Sequence, residues 1–529
     1  MRRAGLAALA LTALGAGAIV VWRGVRGRRD AEIDTGRLRG VVEKGVTVFK
    51  GVPYAAAPVG DLRWRPPRPH ARWHGVRLAD RQGPLALQAF NAEDNGVGPL
   101  PMSEDCLTLN VWTPDPSTQG LPVMVWIHGG GYVNGSATAA LYDGAALAKD
   151  GVVVVGVNYR LGRFGFFAHP LISAEAPDAL KGNYALMDQI FALEWVQRNI
   201  AAFGGDPTNV TVFGESAGGM SVNRLMVSPL ARGLFAKAIS QSGAGRETAT
   251  PLAAAEADGA AFVEGLGVKP STAADLRAIS ADAILNAGPP DLSRGWGPIL
   301  DGALLTEDVT PAFAAGRQAR IPYLAGSNAL EFPIPRRLFE AALARRLTLS
   351  ADERARLAGA YPSDADFTRH AISDIVFGEP ARHLAALHAA AGQAAFLYRF
   401  SVMSEAITKT FKGAPHASER QYVFRTLNAS IWPTGAMDQA QSALMSAYWL
   451  AFAKTGDPNG DERPHWPAYE RASDCLIDFT NDGAVAKPTP DAAVLDVIAA
   501  IREGGAGSGP VSRGKAKPSP RARARAGSS

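Results

Sequence analysis

Residues 210–220 read VTVFGESAGGM. Four strand-favouring residues run directly into Gly-Glu-Ser-Ala-Gly-Gly, and the chain then turns helical from Ala217. A Gly-x-Ser-x-Gly set between a strand and a helix is a nucleophile elbow. Gly214 and Gly218 carry no Cβ, so the backbone can turn tightly and the helix can pack close to the strand. The serine between them, Ser216, is then expected in a strained conformation with its Oγ raised above the sheet. The pattern occurs once in the chain.

The residues around this stretch predict an α/β fold. LPVMVWIHGGG (121–131) and GVVVVGVNYR (151–160) are continuous apolar runs, the signature of strands buried on both faces of a parallel sheet. YALMDQIFALEWVQRNIAAFGG (184–205) places Leu186, Ile190, Leu193, Val196 and Ile200 at helical spacing and stops on Gly204-Gly205. Further strands are expected in AKAISQSG (236–243), IPYLAGSN (321–328), AAFLYRFSV (394–402) and CLIDF (475–479), and a late amphipathic helix in 437–456. Strands alternating with helices give a mostly parallel sheet covered on both faces. The Ala-rich stretch 250–390 reads as a helical insertion over that sheet.

A serine that transfers acyl groups needs donors for the oxyanion it creates. WIHGGGY (126–132) follows a buried strand and supplies a glycine loop of the HGGG type. Its Gly130 and Gly131 amides are the expected donors, joined by the amide of Ala217.

Composition sets the outer limits. The chain has 529 residues, 47% hydrophobic and 20% charged, which is globular and long enough for a large core. Six arginines lie in residues 1–29, and six Lys/Arg with no acid lie in 504–529. Without these twelve charges the net +4 becomes −8 for residues 30–503, so the basic character belongs to the ends and gives no reason to expect nucleic-acid binding by the body. Residues 1–30 set an apolar run, Ala4–Trp22, between arginine clusters. That pattern is expected to be a signal peptide, with Ala16-Gly17-Ala18 as a small-residue cleavage site, or a membrane anchor, so the protein would be exported or held at the membrane. Residues 31–503 form the expected catalytic body, and 504–529 a disordered basic tail. The two cysteines, Cys106 and Cys475, make no disulfide framework, and there is no CxxC or HExxH spacing for a metal.

The chain resembles the type-B carboxylesterase/cholinesterase family of α/β-hydrolases, including its bacterial para-nitrobenzyl-esterase-like members. The resemblance runs almost end to end: FKGVPYAAAPVGDLRWRPP (49–67), SEDCLTLNVW (103–112), VNYRLGRFGFF (157–167), GNYALMDQIFALEWVQRNIAAFGGDP (182–207), FGESAGG (213–219) and FAKTGDPNG (452–460). It implies an α/β-hydrolase fold, a Ser/acid/His triad in that chain order, and hydrolysis of small-molecule esters without a cofactor.

Five histidines follow Ser216. His370, His383 and His388 sit in helical stretches and His465 in a proline-flanked loop. His416, in KGAPHASERQYVF (412–424), resembles the family's Gly-Ala-x-His-x-x-Glu segment and is expected to be the general base, with Glu419 supporting its loop. The family's acid segment, Gly-x-Asn-x-Asp-Glu-Gly, reads GSNALEF here (326–332), with Leu330 for the Asp and Phe332 for the last Gly. Glu331 is the expected acid and Asp301 the alternative carboxylate. Ser242 in SQSG resembles a family serine near the acid, and Glu215 beside the nucleophile would favour cationic leaving groups.

The departures bear on specificity. Ala86 stands where the family often has a cysteine, so Cys106 is expected free and the 87–102 loop unpinned. That loop has no tryptophan to face a quaternary ammonium, so cholinesterase specificity is unsupported. The leading expectation is a serine esterase for short- to medium-chain carboxylic esters. A catalytically silent binding or adhesion protein, or a hydrolase of carbamates, amides or lactones, are the alternatives.

Overall fold

A computed structural model describes residues 29–89, 101–287 and 297–505. Its central feature is an eleven-stranded sheet. Numbered along the chain within that sheet, the strands are β1 (Val41–Glu43), β2 (Val46–Pro53), β3 (Thr108–Thr113), β4 (Leu121–Ile127), β5 (Val153–Val157), β6 (Gly205–Glu215), β7 (Lys237–Gln241), β8 (Tyr323–Asn328), β9 (Ala395–Phe400), β10 (Cys475–Thr480) and β11 (Gly483–Pro488). Their spatial order is β1-β2-β3-β5-β4-β6-β7-β8-β9-β10-β11. The seven strands from β5 to β10 in that order are mutually parallel, and antiparallel strands close both edges.

The apolar runs form strands because both of their faces are buried. In β4, Val123, Val125 and Ile127 point into one core and Met124 and Trp126 into the other. In β9, Ala395 and Leu397 join the first core, and Phe396, Tyr398 and Phe400 the second. With no solvent-facing side, a strand loses the alternation of polar and apolar residues that marks a half-exposed sheet.

Helices α1 (Tyr184–Asn199) and α2 (Ala217–Val227) cover one face, α1 stopping through a 3-10 turn at Gly204, whose φ of 87° ends the helix. After β8 come α3 (Arg336–Arg346), α4 (Ala351–Gly359), α5 (Asp364–Ser373) and α6 (Glu379–Ala390). The later helices are α7 (Ala436–Thr455) and α8 (Ala492–Gly505). Helices α3, α4, α5 and α8 share a smaller core of their own, built on Phe339, Leu343, Leu357, Phe367 and Ile498.

One expectation is corrected here. Residues 250–390 are not a single insertion, because β8, itself among the expected strands, lies inside them as an interior strand of the sheet, hydrogen-bonded to β7 and β9. The stretch is two helical excursions on either side of a core strand. Both cysteines are free, as expected, and Cys106 is buried. The expected N-terminal signal or anchor and the basic tail lie almost wholly outside the described residues, as does most of the 87–102 loop. Among the described residues no helix is long and apolar enough to cross a membrane, and no His/Cys/Asp/Glu group could hold a metal ion.

Candidate active site

Neighbouring parallel strands deliver their C-terminal ends to one edge of the sheet, the place where open α/β sheets bind ligands. Strand β4 ends at Ile127 and runs into the glycine loop. Strand β6 ends at Glu215, directly before Ser216, and β7 ends at Gln241, directly before Ser242. Strand β8 ends at Asn328, three residues before Glu331, and β9 leads to the loop that carries His416.

The elbow is as tight as its glycines imply. Ser216 has φ 55° and ψ −122°, a conformation that L residues rarely adopt, and it immediately precedes α2. A Cβ on Gly214 would lie 2.6 Å from the carbonyl carbon of Gly218, and one on Gly218 would lie 2.0 Å from the carbonyl oxygen of Ile127. Strand, turn and helix are therefore closer than any side chain at these two positions allows.

The structure brings Ser216, His416 and Glu331 together. The Oγ of Ser216 lies 2.9 Å from Nε2 of His416, and Nδ1 of that ring lies 2.6 Å from Oε2 of Glu331. The other carboxylate oxygen of Glu331 accepts from Ser242 Oγ at 2.6 Å and from the Asn328 amide at 2.7 Å. The backbone also ties the two loops, since the His416 amide donates to the Glu331 carbonyl at 2.9 Å. Glu331 is buried and His416 keeps 20% of its side chain exposed, so the acid is fixed while the base reaches the surface of the site.

Two further carboxylates crowd the ring. Glu215 Oε1 lies 3.2 Å from His416 Nε2. Glu419, fully buried, accepts from Asn328 Nδ2 at 2.8 Å and Gln241 Nε2 at 3.0 Å. Burial pushes the His416 ring down, but the charges of Glu215 and Glu331 outweigh it and raise it to about 9. Burial, reinforced by the charge of Glu331, pushes the Glu419 carboxyl up. The site thus favours a protonated imidazole flanked by acids.

In the glycine loop, Gly130 and Gly131 have φ of 99° and 61°. A Cβ on Gly129 would lie 3.2 Å from the Ser216 Cβ, which puts the loop against the serine. Ala217 is the first residue of α2, where an N–H has no partner within the helix. His128 of this loop is buried, held by its stack on Tyr159 and its contact with the Gly129 carbonyl.

The other candidates lie elsewhere. Asp301 accepts the Ala303, Leu304 and Leu305 amides in a turn and is bonded by Asn183, so it acts as a turn carboxylate. His388 is buried against Ile321 and Gln318, while His370 and His383 remain on α5 and α6. Sequence reasoning missed three contributors. The Asn328 side chain bridges the Pro415 carbonyl and Glu419, and Gln241 reaches Glu419. Phe377 lies on the face of His416. The asparagine was visible in GSNALEF; nothing in the local sequence marks Phe377.

Known proteins resemble this chain along most of its length. The sequence model described as "Carboxylesterase family" matches residues 28–345 and 358–494. The chain is 39% identical to the fumonisin B1 esterase of Sphingopyxis macrogoltabida over 82% of this chain and 84% of that protein. It is 38% identical to the para-nitrobenzyl esterase of Bacillus subtilis (strain 168), over 84% and 93%. Among solved structures, a PNB esterase superposes with a TM-score of 0.80 at 33% identity, covering 89% of this chain and 99% of that one. A Geobacillus stearothermophilus carboxylesterase gives 0.78 at 34%, over 89% and 100%. A sheet that gathers an elbow serine, a histidine and a carboxylate at one edge, in a chain matched along most of its length, has the α/β-hydrolase fold, and the protein belongs to the carboxylesterase family as a carboxylic ester hydrolase.

Proposed function

We propose that the protein hydrolyses short- to medium-chain carboxylic esters through an acyl-enzyme on Ser216, with His416 as general base and Glu331 as its orienting acid. The observation that carries this reading is the unbroken relay from Glu331 through His416 to Ser216, at 2.6 and 2.9 Å. His416 takes the Oγ proton as the serine attacks the ester carbonyl. The amides of Gly130, Gly131 and Ala217 receive the oxyanion. Glu331 and Glu215 hold the imidazolium, which then protonates the departing alcohol, and water repeats the sequence to release the acid. Ser242 and Asn328 keep the Glu331 carboxylate turned toward the ring, and Glu419 braces the histidine loop through Asn328 and Gln241.

The medium part of the acyl range is supported by a relative 36% identical, the "Fatty acyl-CoA hydrolase precursor, medium chain" of Anas platyrhynchos. A p-nitrophenyl ester series from acetate to palmitate tests it. The expected result is highest kcat/KM between two and about eight acyl carbons; a maximum at palmitate contradicts it. We also propose that residues 1–30 carry export or membrane-anchoring information for the body, 31–503, with 504–529 as a solvated basic tail. The arginine-flanked apolar run supports the first part.

A further inference from the structure

The rings of His416, Phe332 and Phe377 form a nearly equilateral triangle. Their centroids are 4.8 Å apart for Phe332–His416, 5.0 Å for Phe377–His416 and 5.4 Å for Phe332–Phe377. Phe377 stacks on the imidazole at 29°, and Phe332 tilts against it at 40°. Phe332 stands in the acid loop beside Glu331, at the position where the resembled segment has glycine. Phe377 belongs to a π-helical turn, Asp374–Gly378, set between α5 and α6. Such a turn adds a residue to the helical repeat and re-aims the side chains beyond it. Ser373, one residue before the turn, accepts the Phe332 amide at 3.1 Å. The same few residues therefore grip the acid loop by its backbone and cover the histidine by its face.

We propose that Phe332 and Phe377 are positioning residues for the hydrolytic reaction, holding the face of the His416 ring and stabilising the imidazolium that forms as Ser216 attacks. The two ring nitrogens are fixed at the edges by Glu331 and by Ser216 with Glu215. Edge contacts alone leave the ring free to rock about the line joining them. A packed aromatic face removes that freedom. It also attracts a cation through its quadrupole, more strongly where water is excluded, and Phe377 is only 4% exposed. The π turn gives this contact a mechanical origin: an ordinary α-helical register would carry residue 377 to a different azimuth.

The inference rests on His416 being the base, and the test separates the two. Loss of activity in His416→Ala supports the base; retained activity there overturns the base and this proposal with it. With the base supported, Phe377→Leu and Phe332→Leu keep apolar bulk and remove the aromatic face. Each is expected to lose roughly 5- to 30-fold in kcat with KM within about twofold, the range of a cation–π contact. The pH at which kcat/KM reaches half its plateau should fall by up to about one unit, because the protonated ring has lost support. Phe332→Tyr, half-buried, should restore both. The groups facing His416 are Ser216 and Glu215 from the elbow, Glu331 from the acid loop and Glu419 from its own loop. Asp374, bonded by Tyr361 and near Arg399 and Asp491, titrates from the π turn itself, its carboxyl raised by burial to about 7. Asp374→Asn must therefore leave the half-plateau pH in place. Leucine variants with an unshifted profile, a loss confined to KM, a tyrosine variant no better than leucine, or a limb that disappears with Asp374→Asn would each overturn the proposal. If Phe377→Leu does not fold, Phe332→Leu carries the test alone.

Discussion

His416 carries the electrostatics of the site, because three buried glutamates surround one imidazole. The charges of Glu215 and Glu331 raise its ring to about 9 against the opposing effect of burial, so it keeps its proton further up the pH scale than a free imidazole does, and a protonated ring cannot take the serine's proton. Activity should therefore be low below the raised pKa and grow as pH climbs through it. A kcat/KM profile on a neutral ester should rise to half its plateau near pH 9. Glu215→Gln removes one of the two main charges and should move that half-point toward neutrality; a half-point that stays in place would assign the limb to another group. Asp301 offers the complementary comparison. Glu331→Gln should cut kcat by on the order of 10³- to 10⁴-fold, since the ring loses its orienting acceptor. Asp301→Asn should leave kcat near its starting value, because that carboxylate serves the 303–305 turn. Assays of both variants on one ester decide between them. Glu331 could be picked out of a segment that had lost two of its usual residues because the glutamate itself and its asparagine were kept. Phe377 could not, since its place depends on a π turn, and one extra residue in a helical repeat leaves no pattern in the string IVFG.

At the scale of elements, the elbow is the part that tolerates least. Gly218→Ala would set a methyl carbon 2.0 Å from the Ile127 carbonyl oxygen, and no rotamer change relieves a clash of Cβ with backbone. Either α2 or β4 must move. Overpacking of this kind costs about 1–3 kcal/mol, and the moved element is the one that presents Ser216. The variant should melt at a lower temperature and lose kcat together, measured by thermal unfolding and turnover; an unchanged melting point would show that the helix has room. Strands β4 to β9 were legible because two-sided burial writes continuous apolar runs, and the elbow because glycine spacing is a direct record of backbone proximity. The stretch from 250 to 390 was harder to divide. Its helices are rich in alanine, which favours helix without saying what it packs on, so the strand expected at 321–328 carried no sign that it divides the stretch in two.

The whole molecule divides by charge as well as by fold. The body carries a net −8, and the excess of basic residues sits at the two ends. The carboxylesterase family match begins at residue 28, and none of the proposed catalytic residues precedes it. Removing residues 1–29 should yield a soluble protein with undiminished kcat, while the full chain should fractionate with membranes or be exported. Recovery of the full chain from the cytosol with Arg2 still attached would contradict the targeting role.

The proposed hydrolysis depends most on one atom, the Oγ of Ser216. An organophosphate added to the purified protein, followed by peptide mass spectrometry, reads it directly. The expected result is one adduct per chain, on Ser216, formed in step with the loss of esterase activity. The Ser216→Ala variant should fold normally, take no label and turn over at least ~10⁴-fold more slowly. A stoichiometric adduct on any other residue, or an alanine variant that keeps its activity, would contradict the account.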